Sequence, residues 1–243
     1  MKTLSFAVAV LLLASAADAV SAQSVVITPK KTVYRRPKPI IDFKRTFSIR
    51  RPIVKASTPR LSRTLTAAVA PEKVLEIDLR EEMGEYQWLE EADYKVVHNG
   101  SGLLCVQLWM TGTAAYPDGV TRYVVVDLSN ARRVTPAGVF TNLRGLAARV
   151  KTKQRAEIAT ATKEIKADPE NADARPEQLF ENADFAVKDL DAFFVDSKGV
   201  TFVYDYGFPH VLSALQPSGE YRFSWAELKP FIRRGGLLAR FVY

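Results

Sequence analysis

Residues 187–232 read VKDLDAFFVDSKGVTFVYDYGFPHVLSALQPSGEYRFSWAELKPFI, and this stretch decides the fold class. Phe193, Phe194 and Val195 stand before Asp196-Ser197-Lys198-Gly199, and Val200 to Tyr204 follow it. Aromatic and β-branched runs on both sides of a polar, Gly-containing turn predict a β-hairpin. A Pro-containing loop and a third short strand come next. Ser224 and Glu227 then have the S-x-x-E spacing of a capping box. The hydroxyl accepts from the Glu227 amide and the carboxylate reaches back to the Ser224 amide, so a helix begins there.

Upstream, short strands are expected at Val74–Leu79, Trp88–Val97, Leu103–Met110 and Val120–Leu128. Turns at His98–Gly102 and Ser129–Arg132 make them an antiparallel meander. Thr135-Pro136 has the cap-then-proline pattern of a short helix. Leu143, Leu146, Val150, Ile158, Ala161 and Ile165 fall mostly on one face of a helix running from Asn142 to Lys166. Pro176–Phe180 starts another short helix, and Leu237–Tyr243 is read as a closing strand. The class is α+β: a single antiparallel sheet with helices packed on one face, residues 71–243, long enough to bury one core.

The N-terminal third reads differently. Lys2, the apolar run Phe6–Ala14 and the small residues up to Ala22 have the pattern of a signal peptide, residues 1–22, cleaved before Gln23. That run is too short for a bilayer span of about 20 residues, and no later segment is long and apolar enough for one. The product is expected to be exported, periplasmic or extracellular. Lys30, Lys31, Arg35, Arg36, Lys38, Lys44, Arg45, Arg50, Arg51, Lys55, Arg60 and Arg63 face one acid in the same stretch, Asp42, for a net of +11. Pro29, Pro37, Pro39, Pro52 and Pro59 interrupt it. Residues 23–70 are therefore expected to be a disordered basic arm. The cations from Lys30 to Arg51 would tether the protein to an anionic polymer or membrane surface. Nucleic acid is not the expected partner, because no recognition fold accompanies the charge.

Residues for a reaction are sparse. Cys105 is the only cysteine and sits in the apolar run Leu103–Trp109, as a core residue would. His98 and His210 are the only imidazoles, and no HEXXH or Cys/His cluster suggests a metal. No cofactor is implied. Ser213 or Ser224 with His210 and Asp205 lack a G-x-S-x-G elbow. Asp189, Asp191 and Asp196 could mimic a glycosidase pair, yet acids at strand ends are ordinarily turn residues. No catalytic residue is assigned. The better candidates are aromatic: Tyr206, Phe208 and His210 around a Pro-bent loop, with Tyr116 on another strand connection. Exposed, these four would stack on sugar rings or anchor a protein partner.

From about Asp93 to Ile232 the order of elements resembles the extracytoplasmic domain of RsiV-type anti-sigma factors, which also occurs beside some peptidoglycan polysaccharide deacetylases. Tyr94–Thr111 leads to Ala115-Tyr116-Pro117-Asp118-Gly119, where the family often has Ala-His-Pro-Asn. Tyr123–Thr135 is similar to the family's "fDlktGkeltl" segment, followed by Phe140. Phe202–Tyr206, Pro209 and Ser224–Pro230 resemble "fyFdpYeiaPyaaG…ipyselkp". The chain departs at Tyr116, at Asn130-Ala131-Arg132, which lacks the turn glycine, and at His210–Ala214, which replaces a small Gly-containing loop. No sigma-binding segment is read before the domain, so a complete membrane anti-sigma factor is not expected. The resemblance implies a non-catalytic cell-envelope module that binds a lysozyme-like protein or a peptidoglycan-type glycan. The alternative is an envelope carbohydrate-active hydrolase with an unrecognised site.

Overall fold

The computed structural model of the chain describes residues 24–171 and 173–243. The proposed signal peptide lies outside the described residues. Five strands form the larger sheet in the order β1 (Val26–Arg35), β2 (Thr46–Lys55), β3 (Leu89–Gly100), β4 (Leu103–Thr113) and β5 (Pro117–Asp127). A smaller sheet holds β6 (Phe193–Asp196), β7 (Gly199–Val203) and β8 (Glu220–Ser224). The α+β class is as expected. The single sheet is corrected to two, and one pairing in the larger sheet, β2 with β3, is parallel.

The hairpins follow local chemistry. Gly100 pairs with Leu103 across a two-residue turn in which Ser101 and Gly102 both have positive φ, 49° and 71°. That is the primed geometry whose twist suits a tight hairpin. In the β6–β7 turn, Asp196 Oδ1 accepts from the amides of Lys198 at 2.7 Å and Gly199 at 3.1 Å. An aspartate folded over its own backbone in this way replaces the turn's missing ladder bonds.

Strand β4 explains its own unbroken apolar run, because both its faces are buried. Leu103 and Cys105 face a core built with Phe193, Val195, Phe202 and Phe223 of the small sheet. Leu104, Val106 and Leu108 face a second core with Phe47, Ile49, Leu65 and Leu75. Burial pushes the Cys105 thiol up to about 12, so it carries no thiolate at neutral pH. Helix α1 (Pro59–Ala68) and the short α2 (Pro71–Val74) contribute to the second core. After α3 (Leu79–Met83) and α4 (Pro136–Val139) comes the long α5 (Leu143–Ala167), which packs Leu146, Ala147 and Val150 into the first core. Helices thus serve both cores, not one face.

Residues 24–70, read as a disordered arm, hold β1, β2 and α1 instead. All ten residues of β1 pair with β2, and Pro29 lies opposite Pro52. Their cations are matched by carboxylates distant in sequence. Arg51 Nε donates to Glu72 at 2.6 Å, Lys44 Nζ to Glu90 at 2.8 Å and Arg36 to Glu82 at 3.0 Å. Lys31 stands 3.5 Å from Glu91 and Arg50 3.4 Å from Asp93. The expected opening strand at 74–79 is also corrected. It links α2 to α3, and Asp78 caps the latter by accepting from Arg80 N and Glu81 N. The C-terminus closes as a 3-10 turn, Leu237–Phe241, rather than a strand, with Leu238 fully buried and Phe241 stacked on Trp225 at 4.4 Å.

The helix starts are as read. Asn142 caps α5 through Gly145 N, and Ser224 with Glu227 closes the capping box of α7 (Trp225–Leu228). The Ser224 amide and hydroxyl hold the Glu227 carboxyl below its usual range, and the hydrogen bond from Lys44 does the same for Glu90. A depressed folded-state pKa stabilises the fold above the unfolded value, near 4. That contribution is lost as pH falls through the folded values. The urea midpoint should therefore fall below about pH 4, and Glu227→Gln should flatten that fall while lowering the midpoint at pH 7.

Candidate functional site

The structure divides the four aromatic candidates into two pairs. Tyr116, 61% exposed at the start of β5, stacks on His210 with ring centroids 5.1 Å apart and planes 26° from parallel. His210 Nε2 lies 2.7 Å from the Pro117 carbonyl, so that nitrogen carries the proton and donates. The pair joins the 3-10 turn His210–Leu215 to β5, ninety-three residues away in sequence. It presents an open π face fixed at both ends.

Tyr206 and Phe208 pack elsewhere. Both meet Phe180 edge-on, at 5.4 and 5.2 Å, in a small core shared with Ala161 and Ile165 of α5. They also line a cleft of about 550 Å³. Its rim carries Arg175, Gln178 and Asn182 from around α6 (Pro176–Leu179), together with Tyr204. Aromatic walls and amide or guanidinium rims suit a ligand with flat apolar faces and many hydroxyls. Tyr116 and His210 do not line this cleft.

Glu157 was not read from the sequence, because one acid on a charged helix carries no signal by itself. It anchors the cleft wall from α5. Its Oε2 lies 2.9 Å from the Tyr206 hydroxyl and 2.8 Å from that of Tyr221, while Oε1 accepts from Ser218 Oγ at 2.8 Å and Gly219 N at 3.3 Å. The two phenol oxygens are 2.6 Å apart. Burial, followed by the partner phenol and Glu157, pushes the Tyr221 hydroxyl far up; burial and Glu157 do so for Tyr206. Both stay protonated and act as donors. Gly219 has φ 64°, and a Cβ there would stand 2.0 Å from the Tyr204 carbonyl. Gly219→Ala should cost about 2 kcal/mol from the left-handed backbone and the clash. Thermal unfolding should show this as a Tm lower by about 4–8 °C.

The other chemistry-bearing residues have structural partners. Asp189 accepts from Ala186 N at 2.7 Å, and both Asp196 oxygens accept from Arg222 Nη2, at 2.6 and 2.7 Å. Asp205 accepts from Gly207 N at 2.9 Å. Among the described residues, no group of three or more His, Cys, Asp or Glu could hold a metal ion. No helix among them is long and apolar enough to cross a membrane.

A scan of family models and a search of curated proteins return no match. Solved structures do match. A DUF3298 family protein from Pseudomonas aeruginosa is 16% identical, with a TM-score of 0.56 over 87% of this chain and 96% of that one. A DUF3298 family member from Bacteroides fragilis is 14% identical, with a TM-score of 0.52 over 90% of this chain and 98% of that one. The fold is that of the DUF3298 proteins. The DUF3298 domain is found in RsiV-like anti-sigma factors, and no family model or curated protein shows that narrower group for this chain. In both comparisons the shared fold covers most of this chain.

The nine residues assigned to a tether have different fates. Arg36 and Lys44 are only 2% and 4% exposed. Arg36 donates to the carbonyls of Glu82, Lys44 and Leu89 and lies over the Phe47 ring at 4.6 Å. Lys31, Arg45, Arg50 and Arg51 each have a carboxylate partner. Lys30, Arg35 and Lys38 remain exposed and outside any ion pair among the described residues. A flexible tether is thus replaced by a rigid hairpin with a few free cations.

Proposed function

We propose that this chain is an exported, non-catalytic cell-envelope module that binds a peptidoglycan-type glycan or a lysozyme-like protein. The observation that carries the reading is the Tyr116–His210 stack: an exposed aromatic face held in place by a backbone hydrogen bond. Exposed rigid aromatics give contact area at small entropic cost. The cleft of Tyr206 and Phe208 supplies a second surface of matching chemistry. The assignment of residues such as Ser224, Asp196 and Glu157 to caps, ion pairs and clasps supports binding over hydrolysis.

The test is retention and turnover in one experiment. The protein is mixed with purified peptidoglycan and, separately, with a lysozyme-type muramidase, at high salt to remove charge-driven binding. Retention on either one without release of reducing ends supports the module. Release of soluble fragments by the protein alone would replace it with the hydrolase alternative.

Attachment to anionic surfaces, on this reading, uses Lys30, Arg35 and Lys38 on the hairpin as a fixed patch. Clustered cations gain about 1 kcal/mol each near such a surface. Reversing all three to glutamate should abolish low-salt binding to anionic vesicles and leave Tm nearly unchanged. Equal binding by the triple variant would exclude the hairpin as the contact.

A further inference from the structure

A second cleft, of about 630 Å³, lies on the other side of the larger sheet, between the 76–86 segment and β5. Its floor includes Trp88, Met110 and Val120, the last two being direct cross-strand partners. Strand periodicity puts Arg122 on the same face as Val120, one pleat further along. Arg133, bridged to Val126, adds a second guanidinium to this wall. The opposite wall is acidic, with Glu76 and Glu81 flanking the cap Asp78. Asp118, also on β5, brings one acid to the basic side.

Two features mark this cleft as more than a surface crease. Glu76, Glu81, Arg122 and Arg133 are exposed, and among the described residues none of them forms an ion pair. Opposite charges thus face one apolar floor without closing on each other. The acidic wall is also fixed. Glu82, buried next to Glu81, is held by Arg36 and by Leu89 N at 2.8 Å, and Ile77 N donates to Glu72 O at 3.0 Å. Glu76 itself is in the left-handed region at φ 58°, a conformation that costs a non-glycine residue about 1 kcal/mol and is enriched at binding sites.

We infer that this cleft binds a short extended peptide bearing both signs of charge. Its ammonium group lies toward Glu76 and Glu81, its carboxylate toward Arg122 and Arg133, and an apolar side chain rests on Trp88, Met110 and Val120. A neutral sugar would leave both charged walls unused, and a polyanion would meet the acidic one. Zwitterionic peptide chemistry alone satisfies both walls and the floor. The inference is independent of the glycan or protein site at Tyr116.

The probe is the tetrapeptide lysyl-leucyl-alanyl-glutamate, titrated into the full chain by calorimetry, with its N-acetylated, C-amidated methyl-ester and acetyl-lysyl form as the uncharged comparison. Binding should weaken about tenfold on adding Arg122→Glu or Glu81→Lys, and about tenfold for the uncharged peptide. Glu81 has no side-chain partner to lose and Arg122 only an exposed hydrogen bond to the neighbouring Thr121 carbonyl, so Tm should stay within a few degrees of the parent. Tyr116→Ala should leave the titration unchanged. No binding at millimolar peptide, or equal affinity for charged and uncharged forms, would overturn the inference.

Discussion

Replacing Arg36 with alanine is expected to lower stability by about 3–5 kcal/mol, the usual cost of breaking a buried ion pair from one side. The guanidinium supplies donors to three carbonyls and to the Glu82 carboxylate, and the side chain is fully buried. Alanine leaves Glu82 with only the Leu89 amide and removes the cation over Phe47. In a domain of this size Tm should drop by about 6–20 °C. Arg35→Ala, one residue away and exposed, serves as the comparison and should move Tm by no more than about 1–2 °C. Equal, small effects of both would mean that the hairpin is not integral to the fold.

Glu157→Ala should cost about 3 kcal/mol, because a carboxylate accepting several hydrogen bonds is removed from two half-buried or buried phenols, a serine and a backbone amide. Glu157→Gln keeps the shape and some acceptor capacity, so its cost should be nearer 1 kcal/mol. Beyond stability, the alanine variant frees Tyr206 and the 218–219 turn, and with them one wall of the aromatic cleft. Hydrogen exchange should then quicken at residues 204–221 but not across β3–β5. Uniform acceleration over both sheets would show that Glu157 is part of the global core instead.

The β6–β7 hairpin, the α7 start and the long helix α5 were legible because their signals are local. A turn aspartate, a capping serine three residues before a glutamate, and a 3.6-residue apolar stripe each act within a few positions. The N-terminal segment was misread because its stabilising partners are far away in sequence. The excess of cations in 30–63 is balanced by Glu72, Glu82, Glu90, Glu91 and Asp93, which the fold brings alongside. The alternation of Phe47 and Ile49 with Ser48 and Arg50 was present but was outweighed by charge and proline. Pro29 and Pro52 are tolerated because β1 is an edge strand and β2 pairs with β3 over only Ser48 and Ile49.

For the candidate site, the grouping of the aromatics was not legible. Tyr116 meeting His210 depends on the pairing of a loop with a strand edge, which no spacing encodes. Tyr206 and Phe208 were correctly placed in a common aromatic cluster, but Phe180 of the preceding helical segment, rather than His210, completes it. Residues 74–79 alternate like a strand, yet Pro71 and the Asp78 cap turn the chain into two short helices there.

The most direct measurement is a hydrogen-exchange footprint of the protein with and without peptidoglycan fragments or a muramidase, in high salt. Protection confined to residues 114–118 and 206–216, and lost in the Tyr116→Ala/His210→Ala variant, is what an aromatic binding face requires. Protection that appears only on β1 and β2, or that survives the double substitution, would place the contact elsewhere and end this reading.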